Sequence, residues 1–303
     1  MICSQRYGKT GVRPAVHEGT GPEEGRTAMA DPRIVRAMMF AAGSVGGLSG
    51  AAYGLLNGQS KRARSVIGRP PGLPLNADGI YLPDGTGPLR HTDRPPLALA
   101  MLGDSLAAGL GAESVDLLPG VLLATRLAEE TDRPVGLTTH AVVGSKTFDL
   151  PAQVDRAMIN PPDLALLIIG GNDVTSRSRI SSSVLVLRTQ VARLQSAGTR
   201  VVVGTCPDLG VVRSIPQPLR EIASRFSRTL ARAQRRELDR LGAAAVALGE
   251  LLSPDFLVRP AQLFSPDRFH PNGCGYELAA AVLLPALCAA VEPPRVRVTP
   301  LAA

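Results

Sequence analysis

From Leu97 onward, short apolar runs alternate with stretches of helical period. That alternation constrains the fold more than any other feature of the chain. Leu97–Leu102, Val135–Thr139, Leu164–Ile169, Arg200–Thr205 and Ala243–Leu248 read as buried strands. Helices are predicted near 117–131, 150–158, 181–197, 217–241 and 273–291. Strand–helix alternation builds an α/β domain with a parallel sheet covered on both faces. In such sheets the reacting groups gather beyond the carboxyl ends of the strands. A motif that carries chemistry is therefore expected just after a strand.

Composition supports a packed domain. Of 303 residues, 45 % are apolar and 19 % charged, which supplies a core and argues against global disorder. Aromatics are 3 %, with no Trp, so a surface of stacked aromatic rings for single-stranded nucleic acid is not expected. The formal charge is +7 overall, but +5 of it falls in residues 1–96. The region with the strand pattern is close to neutral and shows no footprint for DNA or RNA. None of Cys3, Cys206, Cys274 and Cys288 forms a C-x-x-C pair, so no metal site is expected. The last three sit among small or apolar residues and read as buried thiols; a disulfide stays open in an exported protein.

The N-terminal third has a different character. Residues 1–36 are Gly-, Glu- and Arg-rich without apolar period and read as a disordered, basic start, with Met1 or Met29 as the initiator. Residues 37–56 are an uncharged apolar run of the length that spans a bilayer core. Its glycines at 43, 46, 47, 50 and 54 are tolerated in membrane helices and costly in soluble ones. A membrane anchor is the main reading; a cleaved signal peptide and a soluble Gly/Ala helix are the alternatives. Arg33 and Arg36 precede the run, while Lys61, Arg62, Arg64 and Arg69 follow it, so orientation stays open. Residues 57–96, with seven prolines from Pro70 to Pro96, read as a linker. Residues 292–303 read as a tail.

Three motifs meet the strand test. Gly103-Asp104-Ser105-Leu106 follows the first strand. A Ser at a strand-to-helix turn exposes its hydroxyl beside free backbone N–H groups, which suits a nucleophile whose attack creates an oxyanion. The same Ser would also serve as a helix N-cap. Gly170-Gly171-Asn172-Asp173 follows the third strand. There Asn172 could aim its amide N–H at developing negative charge, or the segment could be a plain glycine turn and cap. Asp267-Arg268-Phe269-His270-Pro271 precedes the last helix. An Asp three residues before a His can bind one ring nitrogen while the other faces a nucleophile. No G-x-S-x-G elbow is present.

In order and spacing these blocks resemble the SGNH subgroup of the GDSL-type esterases and lipases, over about residues 97–291. The resemblance implies a three-layer α/β/α domain on a flavodoxin-like sheet, with a shallow exposed site and no cofactor. It implies Ser105 as nucleophile, His270 as base and Asp267 as its orienter. It implies an oxyanion hole from the N–H of Ser105, the N–H of Gly144 and the side chain of Asn172. The chain departs from the family at the Gly block: Gly144 precedes Ser145, so Ser145 is the alternative donor. Asp104, Gly170 and Asp173 are expected in supporting roles. The expected partners are an ester substrate (a lipid, an acylated glycan or a small acyl ester) and the membrane, placing the protein at the cell envelope. Acyl transfer to another acceptor on the same site, or ligand binding without catalysis, are the rival readings. The loop 205–210 either walls the site or is a plain proline-glycine connection; its continuation through Pro216 and Pro218 is expected to carry substrate selectivity or a lid, and the Arg-rich stretch 220–240 to be a solvated helix face or a membrane contact.

Overall fold

The computed structural model describes residues 54–62, 65 and 74–291. The sequence readings for 1–36, 292–303 and nearly all of 37–56 lie outside these residues. Six strands form one sheet: β1 (Gly79–Tyr81), β2 (Leu97–Gly103), β3 (Val135–Thr139), β4 (Leu164–Ile168), β5 (Arg200–Gly204) and β6 (Ala244–Val246). Their order is β1-β3-β2-β4-β5-β6, parallel throughout except for β1.

The strands are apolar on both sides because both sides are covered. On one face Leu97, Leu99 and Met101 of β2, with Leu164, Leu166 and Ile168 of β4, pack against helices α1 (Pro119–Thr131) and α8 (Gly273–Val291). On the other face Ala100, Leu102, Ala165 and Leu167 meet α2 (Leu150–Ala157), α4 (Ile180–Ser196) and α5 (Leu219–Leu241). This is the expected three-layer α/β fold with a mostly parallel sheet. The one described helix long and apolar enough to cross a membrane is α8. Its Tyr276, Ala280, Leu283 and Leu287 are buried in the domain.

The short elements depart from the sequence reading. Within the expected linker, Gly79–Tyr81 joins the sheet as an antiparallel edge strand. Tyr81 is buried with its hydroxyl donating to Ala77 O at 2.6 Å, and Asp78 Oδ2 accepts Thr139 N–H at 2.9 Å. A three-residue edge strand among prolines leaves no periodic signal. The last strand is also shorter than expected. It pairs on one side only, and Leu248 already opens α6 (Leu248–Val258), which contains Pro254. An interior proline argues against helix in any sequence reading. Two further short helices are α3 (Gly171–Thr175) and α7 (Pro260–Leu263).

The topology sets the place of the site. After β3 the chain crosses to the other side of β2 to form β4. The loops leaving β2, β3 and β4 therefore surround the point where the winding reverses, the usual ligand crevice of such sheets.

Candidate active site

The site is assembled from the ends of those three strands and the loop before α8. Gly103 ends β2 with φ +136, and a Cβ there would lie 1.9 Å from Ile168 O. Only glycine permits this approach of β2 to β4. The following segment differs from expectation: Ser105 leads into successive turns through Leu110, and regular helix begins only at Pro119. Ala108 N–H donates to Asp104 O and Leu110 N–H to Ser105 O, at 3.0 and 2.9 Å. Glycines at 109 and 111, both with positive φ, keep the segment from continuing as a helix.

Ser105, His270 and Asp267 stand in line. Ser105 Oγ lies 3.0 Å from His270 Nε2, and His270 Nδ1 lies 2.6 Å from Asp267 Oδ2. With the carboxylate at Nδ1, that nitrogen carries the proton, so Nε2 accepts from the Ser105 hydroxyl. Asp267 Oδ1 accepts three further bonds: Ser265 Oγ–H at 2.7 Å, Phe269 N–H at 2.8 Å and His270 N–H at 2.9 Å. Burial opposes its ionisation, but the bonds from His270 and Ser265 and the two backbone N–H groups outweigh it and hold its pKa at about 2. The residues are less open than the resemblance implies: Ser105 is 6 % exposed and His270 7 %. Pro207 and Leu209 of the 205–210 loop, with Val211 and Val212 just beyond it, line the cavity at Ser105, which favours the first of the two readings of that loop.

The other sequence-predicted residues divide. Ser105 N–H and Gly144 N–H have no acceptor among the described residues. Asn172 Nδ2 donates to Ser145 O at 3.0 Å, which leaves its second hydrogen available. Ser145 N–H, the alternative donor, is taken by Val142 O at 3.1 Å. Gly144 is exposed, with φ +83, and does not line the cavity that Ser105 and Asn172 share. Asp173 is fully buried. It accepts Thr147 N–H and Oγ1–H at 3.0 Å and Ser183 Oγ–H at 2.7 Å, tying the loop after β3 to α4. Gly170, with φ +135, turns β4 into α3. Asp104 is buried, and its Oδ1 accepts Leu106 N–H at 3.0 Å.

Burial raises the Asp104 pKa to about 7 against the bond from Leu106 and the attraction of His270. The unfolded chain ionises this group near its ordinary value of 3.8. Between those pH values the unfolded state binds fewer protons, so stability falls as pH rises. Asp267 acts oppositely: its contribution is present above its ordinary value and is lost as pH falls toward 2. Asp104→Asn is thus expected to gain melting temperature on the wild type between pH 4 and pH 8, read by scanning calorimetry. A constant difference over that range would contradict the assignment.

Two contacts escaped the sequence reading. Gln153 of α2 is buried: its Oε1 accepts Gly103 N–H at 2.7 Å, and its Nε2 donates to Gly103 O at 2.8 Å and Ser145 Oγ at 3.1 Å. One amide thus fixes the strand end before Ser105 and the loop beside Asn172. Gly111 lies against the His270 loop, where a Cβ would come 2.4 Å from Pro271 O. A glutamine on an amphipathic helix and a glycine in a turn carry no distinctive sequence signal. Among the cysteines, Cys206 is buried as expected, but Cys274 is exposed on α8. The arginines at 225, 228, 232, 235, 236 and 240 are exposed along α5. Among the described residues, no cluster of His, Cys, Asp or Glu could hold a metal ion.

A three-layer α/β domain with serine, histidine and aspartate in line at its strand ends has the frame of a serine hydrolase. A model of the GDSL-like Lipase/Acylhydrolase family matches residues 101–278. The chain is 43 % identical over 248 residues to the GDSL-like esterase Rv1075c of Mycobacterium tuberculosis, covering 79 % of each chain. Among solved structures it resembles a lipase/acylhydrolase from Enterococcus faecalis (TM-score 0.52, 20 % identity, 65 % of this chain and 97 % of that one). It also resembles the lipase Lip_vut3 from a goat rumen metagenome (TM-score 0.53, 19 % identity, 63 % and 97 %). These two share the fold. The chain belongs to the GDSL-like Lipase/Acylhydrolase family and is an SGNH/GDSL-type esterase or lipase.

Proposed function

We propose that the enzyme cleaves carboxylic esters through a covalent acyl intermediate on Ser105. The carrying observation is the unbroken line from Asp267 through His270 to the Ser105 hydroxyl. His270 Nε2 takes the serine proton as Oγ attacks the ester carbon, then delivers it to the departing alcohol. A water follows the same path in reverse and frees the acid. Asp267 fixes the tautomer and stabilises the imidazolium. The oxyanion is met by the N–H of Ser105, the N–H of Gly144 and the free hydrogen of Asn172.

Asn172→Ala removes one of these donors. We expect kcat for p-nitrophenyl acetate to fall about 10²–10³-fold. A change under threefold would remove Asn172 from the oxyanion hole.

Residues 97–291 form the catalytic unit in this reading, and 37–56 tether it to a membrane. The full-length protein should stay with the membrane pellet through a sodium carbonate wash. Its release into the supernatant would rule out an integral anchor.

A further inference from the structure

The assignment that follows rests on the functional reading above. Helix α6 presents Leu248, Leu252 and Phe256 at every fourth residue, and α8 presents Tyr276, Ala279 and Leu283 at spacings of three and four. These are single stripes on each helix. Both line one cavity that reaches Ser105 and Asn172. Where two apolar stripes meet without filling the space between them, the gap loses contact energy unless something apolar occupies it.

Apart from Ser105 and Asn172, the side-chain polar groups named here around this space are already engaged. Tyr276 OH donates to Leu110 O at 2.7 Å, Asp208 accepts Gly210 N–H and Ser224 Oγ–H, and Ser253 Oγ–H donates to Gly249 O. Little is left to bond a sugar hydroxyl or a charged headgroup. Ser105 and Asn172 line the cavity, whereas His270, which must reach the leaving alcohol, does not. The cavity therefore lies on the carbonyl side of the ester.

The geometry points to this cavity as the seat of the acyl chain, and to an aliphatic chain longer than acetyl as the acyl group of the substrate. Each methylene buried there favours the longer ester about fourfold.

The test is a series of p-nitrophenyl esters from acetate to decanoate, with a second series of acetate esters of lengthening alcohols. We expect kcat/KM to rise about fourfold per methylene from acetate upward and to level off once the cavity is filled. Ala279→Phe fills the gap and should lower the hexanoate-to-acetate ratio at least tenfold. Leu252→Ala enlarges it and should move the maximum to a longer acyl chain. A ratio within one protein does not depend on the fraction folded.

Ser105-dependent hydrolysis with a flat acyl profile would overturn the assignment. So would dependence on the alcohol chain alone, or a ratio unchanged in both variants. Absence of Ser105-dependent hydrolysis of every ester would overturn the functional reading itself, and this assignment with it.

Discussion

Ser105→Ala is expected to lower kcat/KM for p-nitrophenyl esters at least ~10³-fold while the protein stays folded. The substitution removes one oxygen from a crowded turn. Among the described residues Ser105 Oγ bonds only to His270 Nε2, so the turn loses little. The neighbouring contacts of Asp104, Gly103 and Gln153 use other atoms. What disappears is the hydroxyl that stands in line with the imidazole, the proposed site of the acyl bond. Circular dichroism and melting temperature should match the wild type, and residual turnover would come from water held against the proposed oxyanion donors. Activity within tenfold of wild type would show that another residue attacks the ester.

Asp267→Asn should cost about 10⁴-fold in kcat, and the reason lies in three donors. Ser265 Oγ–H, Phe269 N–H and His270 N–H all point at Oδ1. An asparagine must keep its oxygen there, which turns its NH₂ toward His270 Nδ1. The imidazole then holds its proton on Nε2 and cannot accept one from Ser105. The loss arises from the wrong tautomer with little change of shape. The crystal structure of the variant should therefore show His270 in place while turnover is lost. Retained activity would mean that Asp267 only holds the loop together.

Much of the frame could be read in the residues because it rests on periodicity. The five parallel strands and the long helices carry apolar runs of the right length, and both faces of β2 and β4 are buried. The three site motifs were legible because each follows a strand or opens the last helix, and because Asp267 and His270 are three residues apart. What escaped depends on distant partners or on elements too short for a period. Gly79–Tyr81 is a strand only because β3 offers an edge. The helix Leu248–Val258 hides behind Pro254. Gln153 matters through the two backbone atoms of Gly103, fifty residues away in the chain. The apolar cavity exists only where α6 and α8 come together, so neither helix alone announces it.

The central claim is that Ser105 is an activated nucleophile, and covalent labelling tests it most directly. The purified protein would be treated with a fluorophosphonate, digested, and the modified residue located by mass spectrometry, with His270→Ala handled in parallel. The account predicts one labelled residue, Ser105, and loss of the label in the variant. A folded wild-type protein that carries no label, or carries it on another residue, would contradict it.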